Sequence, residues 1–154
     1  EIVEAVVPPI RAGRTGPLQS PTSLRKGMGD EDPALLARLI GRIAQDHGLA
    51  YIHLIEPIAP GFMEPPDRPV LDDIRRAYDG AIILNGSFDR DAANAAIAAG
   101  KADAVSFGRP YIANPDLVER MAAGRPLAEA DFDYAYVGDE TGYCDYPTGS
   151  ADHR

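Results

Sequence analysis

Two short stretches hold residue types suited to binding an anion. Asn85-Gly86-Ser87 closes the apolar run Ala81 to Leu84, and Gly108-Arg109 closes the run Ala104 to Phe107. A glycine lets backbone N–H groups approach a ligand closely. An arginine supplies a planar fork of donors shaped for phosphate. If the two runs are neighbouring parallel strands, both turns lie at their C-terminal ends, on one face. The amides of Gly86, Ser87 and Gly108 would then face the anion, helped by the N-terminus of the helix that begins near Asp89. Arg109 would supply full charge. The plainer alternative is that Gly86 and Gly108 only make tight turns and Arg109 only pairs with a surface carboxylate.

Other residues carry weaker chemistry. His53 sits inside an apolar run, and strand alternation puts it on one face with Tyr51 and Ile55. It could be an acid, a base or a ligand, or a core histidine satisfied by one hydrogen bond. Glu56, at the end of that run, could hold a substrate or a neighbouring backbone amide. Tyr134, Tyr136, Tyr143 and Tyr146 cluster near the C-terminus and could line a pocket or simply pack. Cys144 has no nearby base or cation in sequence to lower its pKa. No serine-triad motif, Walker loop, Rossmann fingerprint or zinc spacing occurs.

The elements that must position these residues are set by periodicity. Glu1 to Val7 carries apolar residues at 2, 3, 6 and 7, a helical spacing that Pro8-Pro9 should stop. The stretch 10–21 reads as a poor strand or a loop, since Pro17 removes a ladder donor. Thr22 to Glu31 reads as a loop. Asp32-Pro33 starts a helix with an apolar stripe of Leu35, Leu36, Leu39, Ile40, Ile43 and Ala44, closed by Gly48. A strand is expected over Ala50 to Ile55, followed by a long loop from Ala59 to Pro69. A short helix through Val70, Leu71, Ile74 and Ala77 precedes a strand over Ala81 to Leu84. Asp89 caps an alanine-rich helix that Gly100 ends. After the strand over Ala104 to Phe107, Asn114-Pro115 should open a helix with Asn114 as N-cap, burying Leu117, Val118 and Met121 and ending near Gly124. Alternating helices and strands indicate βαβ units around a parallel sheet. Four such units are half of an eightfold barrel, and in β/α barrels the loops after the last two strands commonly form a phosphate site. Asp131 to Pro147 reads as an acidic, tyrosine-rich tail folding back over the body.

At 154 residues, with 45% hydrophobic and 25% charged residues, the chain has the size and balance of one soluble domain, 1–154. A net charge of -9, from 24 acidic and 15 basic residues, argues against non-specific nucleic-acid binding. No apolar run approaches the ~20 residues needed to cross a bilayer. A single cysteine points to a reducing cytoplasm. The chain opens Glu1-Ile2-Val3 without Met, as a helix already under way, so a piece of a longer chain is expected.

Taken together, the motifs resemble the Old Yellow Enzyme family of FMN-dependent NAD(P)H oxidoreductases. Phe107-Gly108-Arg109-Pro110-Tyr111-Ile112-Ala113-Asn114-Pro115-Asp116-Leu117 is similar to that family's final strand and the segment directly after it. Residues 48–57 resemble its sixth strand, Asn85-Gly86-Ser87-Phe88-Asp89 the turn after its seventh, and residues 142–148 its C-terminal signature. The resemblance implies an α/β fold that is part of a (β/α)8 TIM barrel, roughly strands five to eight. It implies that Asn85, Gly86, Ser87, Gly108 and Arg109 bind the FMN phosphate and that Tyr136 lies in the substrate pocket. The implied reaction carries hydride from NAD(P)H through FMN to an activated alkene. Three departures accompany it. The early strands, with the family's His/Asn pair and proton-donating tyrosine, are absent. Leu18 stands where the family has a flavin-contacting arginine, and Ala135 where it often has an aromatic residue. A complementary half-barrel or a second copy is the expected partner. The alternatives are an inactive half-barrel module that binds a phosphate ligand weakly, and another barrel enzyme using the same phosphate site.

Overall fold

A computed structural model describes residues 1–23, 29–58 and 64–149. The expected loops at Thr22–Glu31 and Ala59–Pro69 fall in part outside these residues. The chain is α/β and divides into two compact units, Glu1–Ser106 and Phe107–Arg154.

The first unit is built on a four-stranded parallel sheet in the order β1-β2-β3-β4. Its strands are β1 (Leu18–Gln19), β2 (Tyr51–Ile55), β3 (Ala81–Asn85) and β4 (Ala104–Val105). Helices α2 (Pro33–Asp46), α3 (Leu71–Arg75) and α4 (Arg90–Ala98) connect them, after α1 (Ile2–Ile10) and a 3-10 turn at Ala12–Arg14. The central pairing aligns Tyr51, Ile52, His53, Leu54 and Ile55 with Ala81, Ile82, Ile83, Leu84 and Asn85. Ile52, Leu54, Ile82 and Leu84 are buried. Each such side chain contributes about 1.5–3 kcal/mol relative to exposure. The opposite face carries Leu18, Tyr51, His53, Ile55, Ile83 and Asn85, and it is only half covered. Leu18 there is 58% exposed.

Local sequence signals set several helix ends. The Asp32 carboxylate accepts the Leu35 N–H at 2.9 Å and the Asp89 carboxylate accepts the Ala92 N–H at 2.8 Å, both N-caps. Gly48 and Gly100 follow their helices in the left-handed region. Two expectations are corrected here. Pro8-Pro9 does not stop α1, which continues to Ile10 and closes with the Arg11 N–H on the Val7 carbonyl at 2.7 Å. Proline φ is compatible with a helix, and no residue of α1 is buried, so the carbonyls deprived of donors can turn to water. In α2 the buried stripe is Ala34, Ala37, Gly41 and Ala44, while Leu35 and Leu39 are exposed. Small residues win because α3 and the turn after it pack close: a Cβ on Gly41 would sit 2.8 Å from the Ala77 Cβ and 3.2 Å from the Ile74 carbonyl oxygen. Asp73 is buried between the two helices and accepts Arg38 at 2.9 Å and Arg68 at 3.0 Å.

The piece near Thr15 contains the strand β1. Pro17 cannot donate, but its carbonyl accepts the His53 N–H at 2.8 Å, and the ladder is two residues long.

Glu56 stitches the end of this sheet together. Its amide donates to the Asn85 carbonyl at 2.8 Å, and its buried carboxylate accepts the Val70 N–H at 2.6 Å. Burial raises its pKa above the usual carboxylate value, against the lowering effect of the backbone amides. The contribution of this group to stability is therefore complete below the unfolded-state value and is lost as pH rises through the elevated one. Glu56→Gln keeps an acceptor for Val70 and removes the ionisation. Its urea midpoint is expected to fall less than the native chain's as pH rises from the ordinary carboxylate range toward neutrality. Parallel midpoint-against-pH curves for the two proteins would contradict this.

The second unit holds α5 (Arg109–Ala113), α6 (Leu117–Ala123) and the tail. Asn114 does not cap a helix that begins at Pro115. It follows α5 and is fully buried. Its side-chain amide donates to the carbonyls of Pro110 and Ala128 at 2.8 and 2.9 Å and accepts the Ala128 N–H at 2.8 Å. Two-sided bonding to Ala128 anchors the tail. The α6 helix starts after Asp116, which pairs with Arg120 at 2.7 Å and accepts the Gly149 N–H at 3.0 Å. Leu117 is buried as expected, but Val118 is 61% exposed. Gly124 ends the helix in the left-handed conformation.

Candidate functional site

In the first unit, β3 delivers Asn85-Gly86-Ser87 at its C-terminal end. Gly86 has φ 147° and Ser87 φ 58°, two successive positive angles. Only Gly adopts the first without strain, and a non-glycine residue in the second is uncommon. The turn is forced by crowding. A Cβ on Gly86 would overlap the Glu56 carbonyl oxygen and lie 2.6 Å from the Pro57 Cα. The Gly86 carbonyl accepts the Ile58 N–H at 3.1 Å. Among the described residues, the amides of Gly86 and Ser87 donate to no protein acceptor. Gly86 is buried and Ser87 exposed. Successive amides in such a turn form a concavity suited to an anion.

The Asn85 side chain points elsewhere than to an open anion site. Its Nδ2 donates to the Ser106 carbonyl at 2.9 Å and to Ser106 Oγ at 3.0 Å. Ser106 Oγ also meets His53 Nε2 at 2.8 Å. His53 is thus a half-buried histidine with a hydroxyl partner, and burial lowers its pKa below the usual value. The helix N-terminus after this turn is already occupied by the Asp89 carboxylate, with Asp91 in the first turn.

In the second unit, Gly108 is the residue before α5 and Arg109 its first residue, so this pair begins a helix rather than a loop. The exposed Arg109 guanidinium lies over the Phe132 ring, 4.2 Å from its centroid. Phe132 stacks on Tyr136 with centroids 6.4 Å apart, and Tyr136 is 73% exposed. Arg109 and Tyr136, singled out separately from sequence, thus share one aromatic neighbour. Phe132 and Ser106 carried no recognisable signal in sequence. Ser106 meets His53 and Asn85, and Phe132 meets Arg109, all from distant parts of the sequence.

A cavity of about 720 Å³ opens on the helix-covered side of the first unit, lined by Pro57, Leu84, Phe88 and Ala96 among others. None of Asn85, Gly86, Ser87, Gly108 or Arg109 lines it. Among the described residues, no group of three or more His, Cys, Asp or Glu could hold a metal ion. No helix among them is long and apolar enough to cross a membrane.

Comparison with known proteins gives a consistent result. Residues 1–128 match the model of the NADH:flavin oxidoreductase / NADH oxidase family. The chain is 34% identical over 150 residues to 12-oxophytodienoate reductase 2 of Arabidopsis thaliana, covering 96% of this chain and 40% of that protein. It superimposes on morphinone reductase with a TM-score of 0.87 at 35% identity, over 99% of this chain and 41% of the other. For the Old Yellow Enzyme homologue from Zymomonas mobilis the TM-score is 0.89 at 31% identity, over 95% and 41%. The chain spans between 38% and 49% of the length of the curated relatives it matches.

Proposed function

Because the chain belongs to the NADH:flavin oxidoreductase / NADH oxidase family, of the Old Yellow Enzyme type, we propose that it supplies the FMN-phosphate part of an NAD(P)H-dependent alkene reductase. Residues 1–154 would act as one domain, roughly strands five to eight of a (β/α)8 barrel. The chemistry that FMN supplies when bound is hydride transfer, from NAD(P)H to the flavin and from the flavin to the β-carbon of an activated alkene. The protein residues bind and orient. The observation that carries the reading is the Gly86–Ser87 turn, whose two amides have no protein acceptor among the described residues. Its successive positive φ angles fit a phosphate.

The amides of Gly86 and Ser87 would hold phosphate oxygens, with Asn85 setting the start of the turn. Gly108 and Arg109 are assigned to the same phosphate by the family resemblance, Arg109 as its charged partner. Tyr136, exposed in this chain, is assigned to the substrate pocket on the same ground. The half-covered sheet face of Leu18, Tyr51, His53, Ile55 and Ile83 supports a complementary half-barrel or a second copy as partner. It equally favours a second reading, an assembly module without catalysis of its own. A cytoplasmic location accompanies either reading.

Flavin binding tests the proposal directly. The purified chain, titrated with FMN and followed by flavin absorbance and fluorescence, is expected to bind saturably and turn yellow. A chain that stays colourless in excess FMN would favour the assembly module. Leu18 offers a gain-of-binding check. It lies on the half-covered face in register with His53, where the family resemblance places a flavin-contacting arginine. Leu18→Arg is expected to tighten FMN binding about tenfold, the worth of one charge-assisted hydrogen bond. Unchanged or weaker binding would remove this strand from the flavin site.

A further inference from the structure

We propose that His53 and Ser106 are positioning residues for the Gly86–Ser87 turn, acting through Asn85 by a hydrogen-bonded rung from the middle of β2 to the ends of β3 and β4. The role rests on the reading of that turn as a phosphate site.

The rung joins three strands. Asn85, the last residue of β3, donates Nδ2 to both the carbonyl and the Oγ of Ser106, at 2.9 and 3.0 Å. Ser106 follows β4 and is held to β3 by its own N–H on the Leu84 carbonyl at 2.8 Å. His53, from the middle of β2, reaches the same Oγ at 2.8 Å. A serine hydroxyl has one proton and two lone pairs. Asn85 fills one lone pair. The His53 contact at 2.8 Å uses either the hydroxyl proton or the second lone pair, the proton in the latter case going to the Leu84 carbonyl at 3.5 Å. Burial favours the neutral imidazole, which can make either bond.

The turn needs this support from one side. On the β2 side it is tied by the Glu56 amide on the Asn85 carbonyl and the Ile58 amide on the Gly86 carbonyl. On the β4 side its only side-chain tie among the described residues is Asn85 to Ser106. Ser87 holds a left-handed φ of 58°, a conformation that persists only where its surroundings over-determine it. Removing the Ser106 hydroxyl leaves Asn85 with one acceptor and His53 without its partner in the rung. The two amides then lose their fixed direction, while the sheet, which is built on Ile52, Leu54, Ile82 and Leu84, is untouched.

The test compares FMN with riboflavin, which lacks the phosphate, on the full chain and on Ser106→Ala and Ser106→Thr. Folding of each is verified by thermal unfolding. In the native chain FMN is expected to bind more tightly than riboflavin. Ser106→Ala is expected to lower FMN affinity about fivefold, in line with one neutral hydrogen bond, with riboflavin affinity unchanged. Ser106→Thr, which retains the hydroxyl, is expected to keep the native ratio. A native ratio in Ser106→Ala, or a ratio lost equally in Ser106→Thr, overturns the positioning role while leaving the phosphate site standing. Equal affinities for FMN and riboflavin in the native chain would overturn the phosphate reading itself, and the rung's role with it.

Discussion

Gly86→Ala is expected to destabilise the chain by about 3 kcal/mol, combining a strained backbone with an overpacked contact. The position combines both difficulties. Its φ of 147° lies where a side chain is rarely tolerated. The added Cβ would meet backbone, not a flexible side-chain end: the Glu56 carbonyl group and the Pro57 Cα, the latter at 2.6 Å. That backbone is not free to withdraw. The Glu56 amide is bonded to the Asn85 carbonyl at 2.8 Å and the Ile58 amide to the Gly86 carbonyl at 3.1 Å. Relief would require opening the junction of β2 and β3. Urea unfolding gives the check. An unfolding free energy within about 0.5 kcal/mol of the native chain's, the range of an ordinary surface change, would mean the turn relaxes easily and is no rigid cradle. FMN binding should fall with stability, and more steeply than riboflavin binding, since the displaced amides are those assigned to the phosphate.

The second large effect concerns charge. Arg109→Ala is expected to weaken FMN binding roughly 10- to 100-fold, the range for hydrogen bonds to a charged group. Stability should change much less. Within the second unit the guanidinium stacks over Phe132, an interaction worth about 0.5–1 kcal/mol at an exposed site. Arg109→Lys keeps the charge but not the planar fork, so an intermediate affinity is expected. Riboflavin separates the two roles of this residue. If FMN and riboflavin lose affinity together, Arg109 organises the aromatic pair Phe132 and Tyr136 and does not bind the phosphate. If only FMN binding falls, the assignment stands. Binding of FMN unchanged by Arg109→Ala would remove this residue from the phosphate site.

Several features are readable from the sequence alone. Asp32 and Asp89 cap their helices through residues three positions on, and such short-range bonds depend on little else. Strand β2 and strand β3 follow their apolar runs closely. Other expectations fail for a common reason. Leu35 and Leu39 have the size and apolar character of core residues, yet α2 offers two adjacent apolar stripes. The close approach of Ala77 to Gly41 decides for the stripe of small residues. Asn114 before Pro115 has the pattern of an N-cap, a local role. Ala128, fourteen positions away, gives it bonding in both directions that a cap would not. Pro8-Pro9 has the pattern of a stop, but an exposed helix can leave carbonyls to water.

By itself the sequence determined the alternation of helices and parallel strands, the caps, and the placing of glycine and arginine after successive strands. Those arise from side-chain periods and from bonds between residues a few positions apart. Only the tertiary structure decided which face of α2 is buried, that Gly86 cannot bear a Cβ, and that Asn85 is tied to Ser106 and, through it, to His53. His53 and Ser106 are separated by 53 positions and meet at 2.8 Å. Such a bond depends on strand order and register, which no local pattern of residues records.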